Sequence, residues 1–338
     1  MDKPTSVNKN QRIEFLRKYG TVMGAMVIFT IFAFVSKNFF TLNNQLMLLR
    51  QMSMLTIIAL GFTFVMGAGG FAMSIGNTAG LITIIFAMVL ISTKNFWLAL
   101  AAAIACGAVV GLVNGTIVAY IGLPDFIATF AIGSIVYGLK MLITRGNPIF
   151  FPADIPKIAS FIGQGYVGKI PFPVILMLFF VVLVIFVLTK TTLGRRIYAI
   201  GGNPVASLYA GINVKRYRLI TFIISGVSVA IAAVILTSRL GSAQPLAGEE
   251  FLLDAIAVCF LSTTMFGDGE PTGSGTFVGA FIISMLNNGL TMLNVPYYFQ
   301  YITKGVVVIF AVVISVILAK KLKLKLWPTR ITDNYFSC

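Results

Sequence analysis

The sequence has no histidine, two tryptophans, three cysteines and only ten acidic residues in 338. Without histidine it can build no Ser-His-Asp triad, no histidine-ligated zinc and no histidine proton relay. Cys106 and Cys259 lie inside apolar runs and Cys338 ends the chain, a spacing that gives neither a metal site nor a disulfide framework. The chain also lacks the Gly-x-x-x-x-Gly-Lys-Ser/Thr phosphate loop, so any ATP chemistry tied to it belongs to another subunit. No catalytic residue, cofactor or metal is expected. Charge as a whole is scarce, at 10% of residues.

What is abundant is hydrophobicity: 58% of residues are apolar, and runs of about 18 or more apolar residues, each sufficient to cross a bilayer as a helix, recur along the chain. Such continuous runs exclude a β-barrel, whose strands alternate in short segments. The pattern predicts an all-α polytopic membrane protein of about ten transmembrane helices in two related halves. The expected spans are Thr21–Val35, Met52–Gly69, Phe71–Ser92, Phe96–Ile121, Phe126–Ile143, Phe172–Thr189, Leu219–Thr237, Leu252–Phe266, Thr276–Leu293 and Phe299–Ala319. Residues 1–20 and 320–338 read as basic tails flanking a membrane domain over 21–319. No small-residue cleavage site follows the first run, so it reads as a retained span.

The net charge of +15 sits in short intervals between spans, which points to membrane orientation rather than nucleic acid. Sixteen lysines and arginines fall on the side of the tails and of the interval 190–218, against seven on the other side. By the positive-inside rule both termini and the 190–218 loop are cytoplasmic, and the Pro/Gly-rich interval 144–171 is outside.

Within the basic loop, Asn203 to Gly211 reads as one short helix: Asn203 caps, Pro204 suits the first turn and Gly211 stops it. Ala206, Ser207 and Ala210 are small enough to leave room for another protein surface. A loop that does no more than set orientation is the plainer alternative. Gly107, Gly111 and Gly115 share a helix face, as do Gly275 and Gly279, and both sets permit close backbone approach. The glycine cluster Gly67 to Gly76 suggests a broken helix, whose unwound backbone must line protein or a wet cavity. A second Gly-rich break spans Gly267 to Gly275.

The sequence Leu193-Gly-Arg-Arg-Ile-Tyr-Ala-Ile-Gly-Gly-Asn203, followed by Gly211-Ile-Asn-Val214, resembles the cytoplasmic coupling loop of ribose-type ABC importer permeases. Leu123-Pro-Asp-Phe-Ile-Ala-Thr129, Ser242-Ala-Gln-Pro-Leu-Ala-Gly248 with Leu253-Asp-Ala-Ile-Ala257, and Leu286-Asn-Asn-Gly-Leu290 extend the likeness from about Met52 to Ala319. The resemblance implies a subunit of the bacterial inner membrane that imports a small sugar or polyol. It implies three partners: a separate cytoplasmic ATPase bearing on the loop, an extracytoplasmic solute-binding protein, and a second permease copy or a paired homologue, all within membrane lipid. Two departures stand out. Ala72 replaces an acid in the Gly70-Phe-Ala-Met-Ser-Ile-Gly76 motif, and Leu261-Ser-Thr-Thr-Met-Phe-Gly-Asp-Gly-Glu270, including Ser262 to Glu270, replaces a Gly-Gly-Thr-Ser run.

Polar residues inside spans are the candidates for a translocation path: Asn77, Asn114, Thr129, Asn287 and Asn288. Amides and hydroxyls of this kind exchange hydrogen bonds with a neutral substrate, though joining helices is an equal use for each. Asp254 and Lys304 each sit in an apolar span near the outer end, where opposite charges pair or find a wet cavity; snorkelling of Lys304 alone is the alternative. An ion-coupled carrier would need intramembrane acids, and only Asp125 and Asp254 come close to qualifying. A membrane scaffold would share the hydropathy without needing the small-residue loop helix.

Overall fold

A computed structural model describes residues 39–265, 269–296 and 298–307 together with Thr30, Ile309 and Val313. The expected span Thr21–Val35, save Thr30, both tails, and, within Phe299–Ala319, residues 308–319 save Ile309 and Val313 lie outside the described residues. Seven helices among the described residues are long and apolar enough to cross a membrane. They are α1 (Leu42–Gly67), α2 (Ile75–Thr93), α3 (Phe96–Thr116, prolonged by a π turn to Ile121), α4 (Asp125–Thr144), α6 (Phe172–Lys190), α9 (Val214–Leu240) and α11 (Gly273–Met292). Between them lie α5 (Lys157–Gln164), α7 (Thr192–Gly202), α8 (Pro204–Tyr209) and the shorter α10 (Glu250–Met265). Residues 298–307 are again helical.

Four two-residue strands interrupt the helical plan. Strand β1 (Ile149–Phe150) pairs antiparallel with β4 (Ser242–Ala243), and β2 (Tyr166–Val167) pairs with β3 (Ile170–Pro171). They gather at one end of the bundle, the strand end. The segment between α6 and α9 marks the opposite, loop end.

Helix α1 is the central post, and every residue from Met52 to Gly67 is buried. Its polar members are made compatible with that burial by bonding backward: Ser53 donates to Leu49 O, Thr56 to Met52 O and Thr63 to Ala59 O, each at 2.8 Å. The helix begins ten residues before the expected Met52. Thr41 caps it, and Asn44 and Gln45 donate to Phe39 O, so the polar first turn is held by its own side chains. Apolar side chains of α3, α4 and α6, such as Val109, Phe130 and Phe179, point away from the core, as lipid-facing residues do.

Glycines decide how α3 meets α9. A Cβ on Gly107 would stand 2.3 Å from Gly226 O, and one on Gly226 2.0 Å from Gly107 O. Gly111 meets Phe222 O in the same way, and Gly115 meets Leu219. The two backbones are therefore in direct contact, which only hydrogen at these positions allows. Gly275 and Gly279 serve a similar contact between α11 and α10, against Ser262 and Val258. Cys106 and Cys259 are both free thiols, and Cys259 is buried.

Candidate functional site

The basic interval contains the short helix expected after Asn203, and a second helix, α7, precedes it. Thr191 caps α7, which carries Arg195, Arg196 and Tyr198; Asn203 both ends it and caps α8, its Oδ1 accepting from Ala206 N at 3.0 Å. Gly211 follows at φ +78°, the left-handed conformation that stops the helix. The surface of α8 differs from expectation. Ser207 is buried against the protein, while the outward face carries Val205, Leu208 and Tyr209, the last 88% exposed. Ala206 and Ala210 are also exposed. With six residues in α8, Ser207 is one turn from Asn203 on the inward side, so it cannot belong to an external contact.

Helix α7 rests on the broken stretch between α1 and α2. A Cβ on Gly201 would meet Gly67 O at 2.1 Å and Gly69 N at 3.2 Å. The Tyr198 ring covers Gly67, and its hydroxyl donates to Pro271 O at 2.9 Å. Burial, with a lesser contribution from the Glu270 charge, pushes the Tyr198 phenol up from its ordinary value, which keeps it a donor.

In the break, residues 68–74, the amides of Ala68, Gly69 and Gly70 still bond back to α1, but the helical ladder runs out at Phe71. Side chains of α4 replace it: Asp125 Oδ2 accepts from Phe71 N at 3.1 Å, and Thr129 Oγ1 from Met73 N at 2.9 Å. Asn114 Nδ2 donates to Ser74 Oγ at 2.9 Å. Arg218, at the start of α9, reaches both oxygens of Asp125 at 3.3 Å. Ala72, the position of the missing acid, is buried in the hydrophobic core.

Further polar clusters lie in the interior. Lys140 of α4 donates to Asn77 and to Glu249. At the strand end Lys304 Nζ lies 3.0 Å from Asp254 Oδ2, which also accepts from Asn287 Nδ2 at 3.0 Å. Asn288 and Asn44 exchange two 3.0 Å hydrogen bonds. Asp254 and Asn287 face a cavity of about 280 Å³, whose polar lining also includes Gln51, Arg239, Gln244 and Glu250.

Of the five path candidates, Asn77, Asn114 and Thr129 thus gather around the break. Asn287 and Asn288 stand apart, on α11. All five bond to other parts of the protein. Reading the sequence missed Lys140, Glu249, Arg218 and Tyr198. The signal was present for Lys140, because a cation inside an apolar span is itself a pointer to function.

Comparison with known proteins agrees with this architecture. Residues 44–312 match the family described as branched-chain amino acid transport system / permease component. The chain is 38% identical over 310 residues to the ribose import permease protein RbsC of Bacillus subtilis, covering 91% of this chain and 96% of that one. It is 36% identical over 299 residues to the RbsC of Haemophilus influenzae, 88% and 93% covered. To the galactose/methyl galactoside import permease protein MglC of Escherichia coli it is 33% identical over 330 residues, 92% and 97% covered. No solved structure matches.

Proposed function

The chain belongs to the branched-chain amino acid transport system permease-component family, and on that premise we propose that it is the membrane-spanning subunit of a bacterial ABC importer for a small sugar or polyol. In this reading a cytoplasmic ATPase bears on α8, a solute-binding protein delivers substrate at the strand end, and two permease copies, identical or paired, form the pathway in the inner membrane. The loop end is then cytoplasmic and the strand end outside, with ten spans in all.

The observation that carries the proposal is the stack at the loop end. Helix α8, with its exposed apolar ridge, continues directly from α7 at Asn203, and Gly201 of α7 meets the end of α1 at Gly67 and the unwound stretch at Gly69, backbone to backbone. A push on α8 therefore reaches, through α7, an irregular segment inside the bundle. An orientation signal alone has no use for that contact. The ion-coupled alternative is less well supported, because Asp125 and Asp254 are each engaged by a cation, Arg218 and Lys304.

The test is uptake of labelled ribose, galactose and related polyols in cells expressing this chain with its cognate ATPase and binding protein. Uptake should stop when the ATPase phosphate-loop lysine is replaced and persist when a protonophore collapses the ion gradient. Uptake that survives the first and fails in the second would overturn the importer reading.

A further inference from the structure

Lys140 is a cation that neither a loop nor a membrane surface explains. It lies one turn before the end of α4, and its side chain has no exposure. Its ammonium donates to Asn77 Oδ1 at 2.9 Å and to Glu249 Oε1 at 2.8 Å, and sits 4.9 Å from the centre of the Tyr137 ring.

The two acceptors belong to matching places in the chain. Asn77 is in the first turn of α2, just after the irregular stretch 68–74; Glu249 is the last residue before α10, closing the irregular stretch 241–249. These stretches enter the bundle from opposite ends, the first from the loop end and the second from the strand end. The second stretch meets the first turns of α2 at glycine. A Cβ on Gly248 would stand 2.4 Å from Gly76 O, and one on Gly80 2.5 Å from Pro245 O. One ammonium thus ties together the starts of two interrupted helices whose backbones already touch.

The two partners differ in their freedom to leave. The Glu249 side chain is 43% exposed, whereas that of Lys140 is 0% exposed. A carboxylate at a wet margin can exchange an ammonium for water at little cost. A sequestered ammonium cannot, and its isolation would be strongly unfavourable until water or another acceptor arrived. Separating the pair therefore requires the segment bearing Glu249 to move and water to enter behind it.

We infer that Lys140 is a positioning residue for transport: it latches residues 241–249 onto α2 and closes the outer side of the pathway, which opens when Glu249 leaves it. This inference rests on the importer reading for its purpose, while its geometry stands on the contacts of Lys140 alone.

The latch is tested by cysteine accessibility in a chain lacking Cys106, Cys259 and Cys338. Ala243→Cys places a buried reporter on the latched segment, and Ala99→Cys places a buried control on α3. With Lys140 and Glu249 intact, a membrane-impermeant maleimide should modify both slowly from outside. Lys140→Met or Glu249→Gln should each speed modification at position 243 by about tenfold or more, the scale of a lost hydrogen bond to a charged group. The double variant should go no further than either single one, and the exchange Lys140→Glu with Glu249→Lys should restore slow modification. Glu249→Gln leaves Asn77 beside Lys140, so it carries the test if Lys140→Met fails to accumulate.

Unchanged rates at position 243 in Glu249→Gln would overturn the latch, and so would an equal rise at position 99, which would mean general loosening. The labelling needs neither ATP nor sugar. Its failure would leave the importer reading standing, whereas uptake independent of the ATPase would sink that reading and leave the labelling result untouched.

Discussion

Lys304 Nζ and Asp254 Oδ2 lie 3.0 Å apart across 50 residues of sequence, with both side chains at 10% exposure or less. Asn287 holds the same oxygen, so the carboxylate is positioned by two helices at once. Removing either charge strands the other in a low-dielectric site, which typically costs about 3–5 kcal/mol. Asp254→Ala and Lys304→Ala should each sharply lower the folded protein recovered from membranes. The double variant should lose less than the sum of the two. Recovery measured by fluorescence size-exclusion would argue against the pair if the losses simply add.

The outward face of α8 should tolerate no bulk where a partner closes on it. Ala206→Trp and Ala210→Trp are expected to leave insertion intact and to abolish uptake and ATPase copurification. Tyr209→Ala should weaken copurification by about tenfold or more, as loss of an aromatic anchor does. Ser207→Trp should behave differently, lowering folded yield, because Ser207 points into the protein. Wild-type uptake in the two tryptophan variants at 206 and 210 would remove the case for a coupling helix.

Gly226→Ala asks for a carbon 2.0 Å from Gly107 O. Since that neighbour is backbone rather than a flexible side chain, the helices must separate, and overpacking of this kind costs about 1–3 kcal/mol. The detergent-solubilised protein should melt several degrees lower. Gly305→Ala, with no atom of the described residues within 4 Å of its would-be Cβ, should be neutral in the same assay. Equal melting of the two variants would contradict the direct α3–α9 contact.

Tyr198 should give the loop end a signature at high pH. Its folded-state pKa is raised above the ordinary 10.0, first by burial and then by Glu270. A neutral form favoured on folding contributes stability that is fully present below that ordinary value and is lost as pH rises through the folded value. Unfolding midpoints of the wild type should therefore fall more steeply above pH 10.0 than those of Tyr198→Phe. Parallel curves would mean that the phenol is not held in its buried contact with Pro271.

Hydropathy made most of the helices legible, because each span needs little but apolar length. Expected spans such as Phe96–Ile121 and Phe172–Thr189 match α3 with its π turn and α6 closely. The polar start of α1 was hidden, since Asn44 is satisfied by Asn288, a residue 244 positions away. Helix α7 was hidden for another reason. Gly194, Gly201 and Gly202 weaken any local helix signal, yet Gly194 and Gly201 are there because Leu188 and Gly67 leave no space for a Cβ. Lys140 was overlooked because a run such as Phe126–Ile143 is apolar on average, and averaging conceals a single charge. Its partner Glu249 lies 109 residues further on, and nothing local connects them.

The mutual contact of Gly107 and Gly226 carries a consequence for motion. Two backbones that already touch have no slack through which to slide, and at Gly107 and Gly226 no side chain that could change rotamer stands between them. Helices α3 and α9 should therefore travel as one stiff beam through the whole cycle, and distances between labels placed on them should stay constant while others change. Such a beam is the natural internal ruler for this protein: probes elsewhere, on α7 or on residues 241–249, can be measured against it to learn which parts swing and which stay put.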